Sequence, residues 1–160
     1  MNCRVFVADY GNKRHAADII QLLDIYALDP MGGGACLPEE VKRDLVPELA
    51  KRPWAFSVLA HVDDEAAGLI NCFEGFSTFA ARPLVNIHDV IVAPRWRGMG
   101  ISRRMLETVQ AVAVERGCCK LTLELLEGNA SAREAYARFG FQPYSLDERM
   151  GHAVFWHKKL

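Results

Sequence analysis

Ten residues set the terms for what this chain can fold into. Residues 95–104 read Arg-Trp-Arg-Gly-Met-Gly-Ile-Ser-Arg-Arg, with four arginines and no acid. They follow an apolar run, Leu84–Ala93, that is ended by Pro94. They precede Ile101, Met105, Val109 and Val112, a stripe at helical spacing. A strand feeding a helix through glycines requires a fold that joins sheet to helix. The junction also gathers helix N-terminal N–H groups, backbone that can be approached closely, and cationic side chains. That combination suits a phosphate. A solvated basic turn has the same local pattern, so the segment alone leaves both readings open. Two nucleotide motifs do not fit. A G-x-G-x-x-G fingerprint needs glycine where Arg103 stands, and Gly32-Gly33-Gly34 is not followed by the Lys-Ser/Thr of a phosphate loop.

The elements around the junction fix the class. Residues 3–8 have strand composition, and Asn12–Ala27 carries Ala16, Ile19, Ile20, Leu23 and Ala27 at helical spacing. Asp29–Gly34 breaks that helix. Pro38 suits the first turn of a second helix, with Glu39 and Glu40 at its positive end, and Pro47 is expected to divide it. Trp54–Val62 and Gly68–Phe76 are strand candidates around an acidic turn, Asp63-Asp64-Glu65. Gly98 or Gly100 opens the helix that runs to about Arg116, and Gly117 fits its C-terminal cap. Lys120–Glu127 is apolar on both faces and is expected at the sheet centre. Asn129 can cap a helix to Phe139 that Gly140 stops. Phe141–Tyr144 and Ala153–Lys158 complete the list as strands. The expected fold is α/β, a mixed, mostly antiparallel sheet flanked by helices, in one domain over 1–160.

Composition narrows the partners. Nineteen basic and twenty acidic residues give a net charge of −1, unlike a chain that coats nucleic acid. No apolar stretch approaches the roughly 20 residues that span a bilayer. Residues 1–10 lack a signal peptide's apolar core and cleavage site, so a cytoplasmic address is expected. The five cysteines, Cys3, Cys36, Cys72, Cys118 and Cys119, form no C-x-x-C pair. They read as small buried hydrophobes, with Cys118-Cys119 as a redox pair the alternative. His152 and His157, five apart in a strand-like segment, face opposite ways, so no metal site is expected.

The residues from Val90 to Ser102, Val-Ile-Val-Ala-Pro-Arg-Trp-Arg-Gly-Met-Gly-Ile-Ser, resemble the acyl-CoA-binding motif of the GCN5-related N-acetyltransferase (GNAT) superfamily. In the family's register Arg97, Gly98, Gly100 and Ile101 match, and Ser102 replaces the usual small final residue. A second alignment, R-x-x-G-x-G over residues 95–100, lies two residues out of register with the strand. A second motif follows at the family's distance: Asn129-x-x-Ala132-x-x-x-Tyr136-x-x-x-Gly140-Phe141. The resemblance covers about residues 3–145. It implies acetyl-CoA as co-substrate, its pyrophosphate on the amides of Arg97, Gly98, Met99, Gly100, Ile101, Ser102 and Arg103. Its pantetheine arm would lie along the backbone of Val90, Ile91 and Val92. It further implies Tyr136 as the acid that protonates the leaving thiolate and Asn129 as a residue that positions cofactor or water. Superfamily members commonly form homodimers, and Ala153–His157 is a candidate interface strand.

The resemblance implies an amine acceptor, which must lose a proton near neutral pH before it attacks. The strand Asn86–Val92 carries His88 and Asp89, expected on opposite faces, and either is a candidate base. The segments Gly68–Phe73 and Ile87–Val92 are similar to the spermidine/spermine (diamine) acetyltransferase branch, where an acidic pair occupies the positions of His88-Asp89. His88 departs from that pair and weakens a polyamine assignment. Asp24, Asp29, Glu74 and Asp89 are candidates to meet a cationic amine. A small-molecule amine, a protein lysine or N-terminus, and a non-catalytic acyl-CoA-binding module remain as alternatives.

Overall fold

The structure, a computed structural model, describes residues 2–160, which divide into two units. The first runs through Leu123. Its strands are β1 (Cys3–Val7), β2 (Ala55–Val62), β3 (Glu65–Ser77), β4 (Arg82–Val92) and β5 (Leu121–Leu123). They form one five-stranded sheet in chain order. Every pair is antiparallel except β4–β5, which is parallel. The helices of this unit are α1 (Lys13–Leu28), α2 (Glu39–Ala50) and α3 (Ile101–Glu115). This is the mixed, mostly antiparallel α/β sheet flanked by helices that the sequence predicts.

Local chemistry explains the element ends. The Asn12 side chain accepts from the Arg14 and His15 amides and starts α1. Asp63 and Asp64 both have positive φ, 47° and 67°, as a two-residue primed hairpin turn between β2 and β3 requires. Each residue of β2 is buried, which fits its place inside the sheet. Neighbours on a strand face opposite ways, so Gly68 and Leu69 sort the helices. Leu69 shares a core with Ile19 and Leu22 of α1 and Val46 of α2. A Cβ on Gly68 would come within 2.7 Å of Met105 Cε on α3. Thus α1 and α2 cover one face and α3 the other.

Three expectations are corrected. Pro47 does not divide α2, which is continuous to Ala50. Pro47 removes one helical N–H, but buried Val46 and Leu49 anchor that turn in the core. The strand expected over Lys120–Glu127 shrinks to Leu121–Leu123 and ends the sheet instead of lying at its centre. The third correction explains the second. Among the described residues, Phe141–Tyr144 and Ala153–Lys158 form no strand, so nothing in the sheet flanks β5 on its far side.

The second unit, Glu124–Leu160, contains α4 (Ala130–Phe139). Asn129 Oδ1 accepts from the Ala132 amide at 3.2 Å, and Gly140 ends the helix in the left-handed region, φ 108°. Phe141 folds back, with its ring 5.9 Å from Tyr136 and 6.0 Å from Phe139. Beyond it, a single 3-10 turn (Glu148–Met150) and one backbone bond, Ala153 N–H to the Tyr144 carbonyl, give local order. Val154, Phe155 and Trp156 are exposed. Their β-branched and aromatic composition suits a strand, but a strand forms only where another backbone offers partners.

Candidate active site

The sheet opens where the strand-helix junction begins. β5 pairs with β4 only along Val85–Ile87. On the other side β3 pairs with β4 up to Val92. Val90, Ile91 and Val92 therefore have a strand neighbour on one edge, and among the described residues no strand occupies the other. Such an edge can take an extended, amide-bearing partner as an added strand.

The chain then turns through Pro94–Trp96 into the glycines. Gly98 and Gly100 have φ of 77° and 74°, where a side chain is strained. A Cβ on either would meet open space, so backbone conformation is what demands glycine. The first helical bond of α3 runs from the Arg104 amide to the Gly100 carbonyl. The amides of Gly100, Ile101, Ser102 and Arg103 thus lie before the ladder, and among the described residues no side chain caps them. Four outward N–H groups at the positive end of a 15-residue helix favour an anion. Together with the open β4 edge, they are chemically suited to the phosphates and amide-bearing arm of CoA.

The arginines behave differently from a free cationic cluster. Arg95 pairs with Glu65 and lies over the Trp96 ring, 5.0 Å from its centroid. Arg103 meets Glu107 at 3.1 Å, and Arg104 donates to the Cys3 carbonyl at 2.9 Å. Arg97 donates from Nε to the Val92 carbonyl and from Nη2 to Asp29 Oδ2, each at 3.1 Å. Its guanidinium braces the glycine loop between β4 and the end of α1. The Asp29 carboxyl is held below the usual carboxylate range, mainly by the Met31 N–H and then by Arg97.

β4 also brings the two candidate bases together. The β3–β4 register shifts between Asn71↔Asp89 and Cys72↔Ile87, which leaves His88 as the extra residue of a bulge. From Gly68 to Phe73 β3 pairs regularly with β2, so Asn71 and Phe73 share a face. The His88 ring meets Phe73 edge-on, 5.3 Å between centroids, and Asp89 is bonded to Asn71. The expected opposition of His88 and Asp89 is therefore corrected. The bulge puts both side chains on the face that α1 covers. His88 is exposed and Asp89 half-buried.

The other candidate acids already face cations. Asp24 accepts from the Leu37 amide at 2.8 Å and pairs with Lys42 at 3.2 Å. Those bonds, the amide first, hold its carboxyl below the usual range. Asp29 is the partner of Arg97, and Glu74 meets Arg116 at 3.1 Å. Asp89 instead accepts from the neutral amide of Asn71 at 3.0 Å. Tyr26, on the last turn of α1, has a phenol pushed up by burial and by the nearby charges of Asp89 and Asp29. Sequence reasoning missed Tyr26, Tyr10, Ser57 and Asn71. For Asn71 a signal exists, a lone amide inside the apolar run Gly68-Leu-Ile-Asn-Cys-Phe. Tyr136 and Asn129 lie in the second unit, on α4 and at its cap. Among the described residues no group of three His, Cys, Asp or Glu side chains is arranged to hold a metal ion, and no helix is long and apolar enough to cross a membrane.

Comparison with known proteins bears on the family and the fold. Residues 20–141 match the model of the acetyltransferase (GNAT) family. The thialysine N-epsilon-acetyltransferase of Bos taurus is 34% identical over 82 residues, 51% of this chain and 44% of that protein. The streptothricin acetyltransferase of Streptomyces lavendulae is 37% identical over 93 residues, 58% of this chain and 47% of that protein. The matched segment thus spans about half the length of these curated relatives. In fold, an aminoglycoside N-acetyltransferase solved in complex with CoA superposes with a TM-score of 0.78 over 99% of this chain and 96% of its own, at 17% identity. An aminoglycoside acetyltransferase from an uncultured soil metagenomic sample gives 0.78 over 99% and 96%, at 14% identity. Fold, motifs and the family match converge, and the chain belongs to the acetyltransferase (GNAT) family.

Proposed function

We propose that this protein is a cytoplasmic, single-domain enzyme that transfers an acetyl group from acetyl-CoA to a primary amine of a small molecule. The observation that carries the reading is the uncapped α3 N-terminus, with its two left-handed glycines, directly after the open edge of β4. The names of the relatives, acting on thialysine, streptothricin and aminoglycosides, support a small amine as acceptor.

Acetyl-CoA supplies the acetyl group, activated as a thioester. The chain's own residues do the rest. The amides of Gly98 to Arg103 bind the phosphates, with Arg97 bracing the loop that presents them. The backbone of Val90 to Val92 aligns the pantetheine arm. His88 or Asp89 takes the proton that the amine gives up as its nitrogen attacks. Tyr136 returns a proton to the departing sulfur, and Asn129 fixes the start of the helix that carries it. An incoming ammonium would exchange with existing cations at Asp24, Asp29 or Glu74, whereas at Asp89 it meets a carboxylate held by a neutral donor. Exposed Val154, Phe155 and Trp156 support burial against a second copy in a homodimer, which light scattering measures.

The test is acetyl-CoA-dependent thiol release with a panel of thialysine, diamines, aminoglycosides, amino acids and lysine peptides. Release with small amines is expected, and Tyr136→Phe should slow it about 10²–10⁴-fold. Release with peptides alone overturns the small-molecule acceptor. CoA binding with no release for any amine overturns the enzyme reading in favour of a binding module.

A further inference from the structure

Among the described residues the buried polar or charged side chains are Ser57, His61 and Asn71. His61 is satisfied by Asp18, 2.9 Å away. The other two belong together. Ser57 pairs with Asn71 across β2–β3, and Asn71 with Asp89 across β3–β4, so the three residues form one rung of the sheet. Ser57 Oγ donates to Asn71 Oδ1 at 2.7 Å, and Asn71 Nδ2 donates to Asp89 Oδ2 at 3.0 Å. Tyr10 Oη stands 2.9 Å from Ser57 Oγ.

The direction of this series follows from counting protons. Ser57 has one hydroxyl proton, and it is committed to Asn71. Tyr10 is therefore the donor to Ser57. With Asn71 Oδ1 taken by Ser57, its amide N–H groups must face Asp89. Every donor points from Tyr10 toward Asp89, and the series ends on a carboxylate. Buried amides and hydroxyls are expensive to place in a core, and an apolar rung would serve stability equally well. The rung also lies at the bulge that turns His88 and Asp89 to the same face.

We propose that Asn71 is a positioning residue for the reaction. Through Ser57 and Tyr10, its amide is locked in the orientation that fixes the Asp89 carboxylate where it meets the incoming amine. The inference rests on the acetyltransferase reading and deepens it, since it singles out Asp89 among the candidate acids as the one preset for an ammonium.

The experiment is a double-mutant cycle on kcat/KM for thiol release, with the best amine of the panel as probe. Asp89→Asn should lower kcat/KM about 10²-fold, and Asn71→Leu, which keeps the branched shape and loses the hydrogen-bonding groups, should lower it by about as much. In the Asp89→Asn background Asn71→Leu should add less than about twofold, because its effect passes through Asp89. Ser57→Ala removes only the lock and provides a second arm if Asn71→Leu does not fold. It should lower kcat/KM severalfold in the parent and leave the Asp89→Asn protein unchanged. A merely structural rung gives a different pattern: losses that multiply across the cycle and track thermal stability. That pattern, or full activity in Asn71→Leu or Ser57→Ala, overturns the inference while the acetyltransferase reading stands. Full activity in Asp89→Asn overturns it as well. No release by the parent with any amine overturns the acetyltransferase reading and the inference with it.

Discussion

Each arginine of the 95–104 stretch finds its own partner once the chain folds: Glu65, Asp29, Glu107 and the Cys3 carbonyl. The basic run that stands out in the sequence is therefore a set of braces, and the phosphate site we propose beside it rests on the backbone amides at the start of α3. That distinction was not legible in sequence, because apart from Glu107, one helical turn from Arg103, the partners lie far along the chain, Asp29 being 68 residues from Arg97. The Arg97–Asp29 brace has a testable pH dependence. The folded Asp29 carboxyl lies below its ordinary value, chiefly through the Met31 amide and then through Arg97. A depressed carboxylate stabilises the fold above the ordinary carboxylate range, and that contribution is lost as pH falls through the folded value. Asp29→Asn keeps the cap and removes the charge. Its urea midpoint should fall below the parent's near pH 7, by a gap that narrows as the pH is lowered toward pH 3. A gap unchanged between those pH values contradicts the brace. Cysteine reading was split in the same way: burial pushes the Cys72 thiol up, as suits an inert core residue, while Cys36 is exposed.

At the scale of elements, start and stop residues carried the reading. Asn12, Gly100, Asn129 and Gly140 all stand at helix ends, where capping chemistry is local and a single sequence exposes it. What sequence could not show depended on neighbours. The bulge at His88 exists because β4 carries one more residue than β3 can pair, and it reverses an alternation argument that holds elsewhere on the strand. The expected final strands fail for the same kind of reason, since an apolar segment does not name its partner. Gly68 shows how one residue sets an element's position. With no side chain there, α3 seats Met105 directly on the sheet. An added Cβ would approach Met105 Cε to 2.7 Å, Sδ to 3.0 Å and the Ile91 carbonyl to 3.1 Å. Met105 is fully buried and has little room to yield. Gly68→Ala should cost about 1–3 kcal/mol in chemical denaturation, and an unchanged midpoint contradicts this seating of α3.

Across the whole molecule, a charge of −1 averages over an architecture in which position matters more than sum. The fold class was legible because strand and helix periods alternate in a fixed order. The glycine turn and helix start proposed to bind the cofactor were legible because they occupy consecutive residues. The Tyr10–Ser57–Asn71–Asp89 series was not, because its members meet only when three strands and a loop are in register. The central claim is that the amides at the start of α3 hold the phosphates of CoA. A calorimetric titration of CoA into the parent and into Ser102→Asp, both checked for cooperative melting, tests it most directly. An added carboxylate at that helix start opposes a bound phosphate while suiting the helix dipole. The account predicts one CoA per chain for the parent and at least about tenfold weaker binding for the variant, the size of 1.4 kcal/mol. Equal affinity in two equally folded proteins would contradict it.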